Sequence, residues 1–225
     1  MKIQIKQDIN KDAWNWWDGT NKISHGVNWG ERIDLDIRKQ IKNKTHEQSL
    51  AFLIPYLENY YKENKEKLDK VVNEAQLLFD DKVDECLELM TKITKHPMYR
   101  QDFTCFLTTF PRCPYNIKNG YVWLCALWPT KCYLGTFLHE LLHFQFIHYY
   151  YDNPEVKKLT NIQFEYLKES LTVILNYDFK KYLCQTDSGY EIHQDLRKKL
   201  ADFWIKTQDF DKLVSFGAKE VQLLI

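Results

Sequence analysis

Residues 121–150 read YVWLCALWPTKCYLGTFLHELLHFQFIHYY, and this stretch decides the fold class. Its first part, 121–128, is aromatic and aliphatic and stops at Pro129, which is the pattern of a short buried strand. From about 134 to 150 the apolar residues run on for longer than a strand normally lasts, so this part reads as a buried helix. A strand feeding an apolar helix, among other strongly helical segments, predicts an α+β fold rich in helix.

Working back along the chain, 103–109 (FTCFLTT) is a second strand candidate. Pro111, Pro114, Asn116, Asn119 and Gly120 punctuate the stretch between the two, so a small, mostly antiparallel sheet is expected before the helix. Residues 62–95 are amphipathic at spacings of three and four, with Lys and Glu on the wet face. Thr45 to Gln48 has the form of a capping box opening a further helix, which Pro55 is expected to bend or end. Residues 11–32 carry four tryptophans among three glycines and read as an irregular, aromatic-anchored segment. Residues 2–6 (KIQIK) alternate like a strand. Working forward, helical patterns cover about 155–181 and 190–206, and a short tail ends in VQLLI. No linker separates the halves beyond His96-Pro97. One domain over 1–225 is expected, with a mostly helical half at 1–97 and a catalytic half at 98–225.

Composition narrows the function. Lys plus Arg and Asp plus Glu each total 31 in 225 residues, so the formal net charge is zero and a chain built mainly to grip nucleic acid is not expected. No run approaches eighteen apolar residues, and the first residues lack the apolar core of a secretory leader. The chain is therefore expected in the cytoplasm, with no membrane span and its six cysteines reduced.

Within the decisive stretch stands His139-Glu140-Leu141-Leu142-His143. On a helix, positions four apart differ by about 40° around the axis, so both imidazoles point the same way. Two imidazole nitrogens on one face are a metal grip, with zinc the natural ion, and Glu140 is placed to act as general base on water. The pattern is specific: roughly 0.01 chance matches are expected in a chain of this composition. A catalytic zinc site wants a third protein ligand. Phe146 and Tyr149 stand where an extended histidine motif would need Gly and His. His148 points away from the pair. The third ligand is thus expected from NIQFEYLKESLTVILN (161–176). Glu169 heads its more apolar half and is favoured, with Glu165 as the alternative or as a supporting group.

His139-Glu140-x-x-His143 followed by a helix-borne glutamate resembles the gluzincin clan of zinc metallopeptidases, and the small intracellular members are closest in size. The resemblance covers about 120–180. It implies a zincin-like domain, one zinc ion per chain and hydrolysis of a peptide or protein substrate. It further implies an active-site helix beneath an edge strand, whose position residues 121–128 match, with substrate added along that strand. Members of the clan carry a His or Tyr that stabilises the oxyanion; His193, Tyr182 and Tyr190 are the candidates here. A second reading is a gluzincin-like regulatory protein that keeps the zinc scaffold and acts through partner binding or highly restricted cleavage. The oligomeric state is left open by the sequence.

Overall fold

The computed structural model describes residues 2–225. It is α+β and helix-rich, as the sequence predicts. The chain divides into two compact units, neither of them one continuous stretch. The first joins Met1–Asp81 to Asp102–Tyr133, and the second joins Lys82–Gln101 to Leu134–Ile225.

The first unit holds the sheet. It contains β1 (Lys2–Lys6), α1 (Ile9–Asn21), a two-residue hairpin of β2 (Ile23–Ser24) and β3 (Val27–Asn28), α2 (Leu35–Ile41) and α3 (His46–Glu63). The first part of α4 (Lys65–Thr94) follows, then β4 (Asp102–Thr108), β5 (Tyr115–Asn116) and β6 (Tyr121–Cys125). The strand order is β1-β4-β6-β5. Both β1–β4 and β4–β6 pair parallel, and only β5–β6 is antiparallel. The expectation of a mostly antiparallel sheet is corrected accordingly. The chain runs through four helices between β1 and β4, and so long a crossover brings it back in the same direction. β6 is also not an edge strand. Over Tyr121–Val122 its second side pairs with β5, and the Trp123 amide donates to the Pro114 carbonyl (2.9 Å). At the opposite edge, Gln76 on α4 serves β1 as a stand-in strand. Its side-chain oxygen accepts from the Ile5 amide and its nitrogen donates to the Ile3 carbonyl, both at 3.1 Å.

Of residues 11–32, expected to be irregular, 11–21 are helical and belong to α1. Asp8 caps it by accepting from the Lys11 amide (3.1 Å). The weak helix formers Trp, Asn and Gly in this segment are overruled by burial of Ala13, Asn15 and Trp16. Its inner face carries Asp12, whose carboxylate accepts from the Thr108 hydroxyl (2.6 Å), the Thr109 amide (2.9 Å), the Thr109 hydroxyl (2.7 Å) and the Tyr61 hydroxyl (3.2 Å). These bonds clamp the end of β4 to α1 and α3. The Thr45–Gln48 capping box closes in both directions, but Pro55 neither ends nor removes α3. Leu53, Leu57 and Tyr61 bury the same face on both sides of it.

The second unit is helical. It comprises the rest of α4, then α5 (Tyr133–Tyr150, from Leu134 on), α6 (Asn161–Leu171), α7 (Leu175–Asp178), α8 (Gln194–Thr207) and α9 (Phe210–Leu224). The expected single helix over 155–181 is broken into a 3-10 turn at Val156–Lys158, α6, a second 3-10 turn at Thr172–Ile174, and α7. Thr160 and Gln163 form the capping box that starts α6. The VQLLI segment is no loose tail; apart from Ile225 it completes α9. Gly217 lets α9 approach closely, since a Cβ there would stand 2.6 Å from Leu167 of α6 and 3.0 Å from Leu200 of α8. α9 thereby backs the helix that carries Glu169.

Cys86, Cys105, Cys113 and Cys125 are thiols, whereas Cys132 and Cys184 are disulfide-bonded. The expectation of six reduced thiols fails for those two, because nothing in the spacing of the six marks them out. Among the described residues, no helix is long and apolar enough to cross a membrane.

Candidate metal centre

α5 is buried nearly all round: Leu134, Phe137, Leu138, Leu141, Leu142, Phe144 and Phe146 all lie inside. Three polar groups on such a helix need compensation from elsewhere. His139 and His143 stand one turn apart with ring centroids 4.5 Å apart. Glu169 comes from α6, the neighbour in sequence, and meets both. Its Oε2 is 3.5 Å from His139 Nε2 and its Oε1 is 3.3 Å from His143 Nε2. One ligand atom from each of the three residues lies within 4.8 Å of the others.

Two imidazole nitrogens and one carboxylate converging in this way suit zinc in chemistry and number, leaving a position for a reacting group. Glu140 supports the fit. Its side chain is buried, and Oε2 makes no hydrogen bond among the described residues. His148 lies outside the cluster, its ring against Tyr99 and Tyr149.

The sequence reading missed three residues that contact this arrangement. Asp187 Oδ2 is 2.6 Å from His139 Nδ1. Asp187 is itself fixed three ways. Asn176 bonds its main chain reciprocally (2.8 and 2.9 Å), the Thr172 hydroxyl donates to Oδ1 (3.2 Å), and Arg197 donates to Oδ1 (2.7 Å) and to its carbonyl (2.5 Å). Arg197 also donates to the Thr172 hydroxyl (2.7 Å) and the Glu169 carbonyl (3.1 Å), so one guanidinium ties the Asp187 loop to the end of α6. Gly189 makes room for that guanidinium, since its φ is +63° and a Cβ there would fall 2.7 Å from Arg197 Nε. The third missed residue is Lys168, whose Nζ lies 2.6 Å from Glu165 and 3.3 Å from Glu169 Oε1. An open groove of about 630 Å³ runs along Asp187 and is lined by residues that include Asn176, Tyr177, Gln194, Arg197 and Lys198. Glu165, a candidate third ligand beforehand, grips Lys168 here.

The electrostatics follow from burial and these partners. Burial opposes a charge on His139, but Asp187, Glu169 and Glu140 outweigh it and hold its pKa well above the ordinary value. Burial carries His143 down to about 4. Burial would raise Glu169, yet His143, His139 and Lys168 keep it well below the usual carboxylate range. The same contest at Asp187, won by His139 and Arg197, sets it at about 2. Glu140 is pushed by burial up to about 8, and Glu169 adds to the rise.

The three oxyanion candidates occupy aromatic surroundings. The buried His193 ring packs on Tyr166 (4.4 Å) and on Tyr190 (5.6 Å). Tyr182 packs on Phe179 (6.4 Å), with the Lys181 amine 4.7 Å above its ring. Asp187 stands in the polar run Gln185-Thr186-Asp187-Ser188-Gly189, which reads as a turn and nothing more. Arg197 and Lys168 stand in charged helix faces. None of the three carries a local signal. No protein-family model matches the chain, and neither does any curated protein or solved structure.

Proposed function

We propose that the chain is a zinc-dependent metallopeptidase of gluzincin type, binding one zinc ion through His139, His143 and Glu169 and cleaving a peptide or protein substrate. The observation that carries this reading is the convergence of those three side chains on one point, with the buried Glu140 beside them. A bound zinc ion supplies Lewis acidity for a carbonyl and makes water a better nucleophile near neutral pH. Glu140 accepts the proton of the attacking water as the carbon–oxygen bond forms. It returns that proton to the departing amine as the carbon–nitrogen bond breaks. Burial by itself raises its pKa to about 8, and a dication bound beside it would draw it down again, toward the range where the carboxylate accepts a proton. Asp187 holds His139 with Nε2 turned toward the metal position. His193, Tyr182 or Tyr190 would stabilise the oxyanion in this scheme.

A cytoplasmic location is part of the proposal, supported by the thiols of Cys86, Cys105, Cys113 and Cys125. The disulfide-bonded Cys132 and Cys184 weigh toward a more oxidising compartment. Zero net charge leaves substrate choice to shape and hydrogen bonding in place of bulk electrostatic steering.

The deciding experiment is Glu140→Gln, assayed on unfolded protein and a mixed peptide library. Zinc content should stay at about one per chain while cleavage disappears. A variant as active as the wild type would remove Glu140 from the mechanism, and a wild type that binds no zinc would remove the reading itself.

A further inference from the structure

Lys168 is an unusual neighbour for a metal ligand. Its side chain is only 3% exposed, and its ammonium lies 3.3 Å from Glu169 Oε1. The same oxygen stands 3.3 Å from His143 Nε2 on the metal side. Adjacent residues on a helix diverge by about 100°, so Lys168 does not meet Glu169 by periodicity. Glu165, one turn earlier on α6, draws the ammonium in at 2.6 Å from its own carboxylate. A buried carboxylate is thus already satisfied by a cation that belongs to the chain. A divalent ion arriving at His139, His143 and Glu169 must share that carboxylate, and it feels the ammonium across a poorly screening interior.

We propose that Lys168 is an internal opponent of metal binding. Its buried charge loosens the hold of the His139–His143–Glu169 site and makes the metal exchangeable. The inference rests on the zinc reading given above. It also gives Glu165 a role, that of keeping the ammonium at its post beside Glu169.

The alternative role, in which Lys168 merely positions Glu169, predicts the opposite sign when the charge is removed. Zinc affinity is measured by competition with a chromophoric chelator at neutral pH for the full-length wild type, Lys168→Met, Lys168→Gln, Lys168→Arg and His143→Ala. Lys168→Met should bind zinc at least about tenfold more tightly than the wild type, one power of ten being the least effect that clearly separates the two roles. Lys168→Gln, which keeps a polar side chain, should shift the same way and serves if the Met variant does not fold. Lys168→Arg should stay near the wild-type value. Added zinc should raise the thermal midpoint of Lys168→Met by more than that of the wild type. Equal or weaker zinc binding in both charge-removing variants overturns the proposal while leaving the metal site standing. If neither the wild type nor the charge-removing variants bind zinc better than His143→Ala, the metal reading falls and this inference with it.

Discussion

Asp187 determines which nitrogen of His139 faces Glu169 and the proposed metal position. Its carboxyl is held at about 2 by His139 and Arg197 against the upward pull of burial, so near neutrality it only accepts hydrogen bonds. The 2.6 Å contact therefore takes its proton from His139 Nδ1, which leaves Nε2 as the nitrogen that faces Glu169 and would give up its proton to a metal bound there. Asp187→Asn keeps the shape but accepts more weakly, and it should lower zinc affinity about 10-fold or more. Chelator competition measures this directly. Affinity equal to that of the wild type would show that His139 is oriented by something else. His139, Glu140 and His143 were legible because their chemistry is written in a five-residue spacing. Glu169 was legible because a carboxylate in an apolar helix demands a partner. Asp187 and Lys168 were not, because their neighbours explain them equally well as a turn residue and a solvated lysine.

Among the elements, α1 and β4 depend on one buried carboxyl. Burial raises Asp12 from 3.8 to about 6, although bonds from Thr108, Thr109 and Tyr61 pull it down. The folded chain therefore holds this proton more tightly than the unfolded chain does. The stability linked to it is fully present below pH 3.8 and is lost as pH rises through about 6, a change of about 3 kcal/mol. Urea unfolding of the wild type and Asp12→Asn between pH 4 and 8 checks the sign. The wild type should lose ground against the variant as pH rises from 4 to 7, and a pH-independent difference between them would count against the assignment. Elements with plain periodicity, such as α4, or with a long apolar run, such as α5, were readable along the chain. α1 was hidden because Trp, Asn and Gly are poor helix formers whose cost is offset only where Trp16 and Asn15 find partners. Trp16 Nε1 donates to Thr109 (2.9 Å), and Asn15 donates to Thr108 (2.9 Å) and the Arg112 carbonyl (2.8 Å). α9 was hidden for a similar reason, since Gly217 weakens it locally while permitting its packing on α6 and α8.

Over the whole molecule, the chain leaves its first compact unit at residue 82, returns at 102 and leaves again after 133. No linker marks these crossings, because they fall inside or beside regular elements, the first of them within α4. The cysteines also belong to this scale. Thiol titration of unfolded, unreduced protein should find four reactive thiols of the six cysteines, Cys132 and Cys184 being bonded. A count of six would overturn the bond at Cys132 and Cys184. By itself the sequence determined the helix-rich α+β class, the paired imidazoles with Glu140 beside them, and the helix that carries Glu169. Each of these is a periodic or apolar pattern within one short segment. The tertiary structure alone decided the parallel run of the sheet, the clamp on Asp12, the Arg197–Asp187–His139 chain and the ammonium of Lys168 beside Glu169. All but the last join residues far apart along the chain. Even Lys168 and Glu169, neighbours in sequence, are brought together by burial and by Glu165 against the divergence of the helix. Such contacts exist only once packing has removed the water that would otherwise satisfy each group.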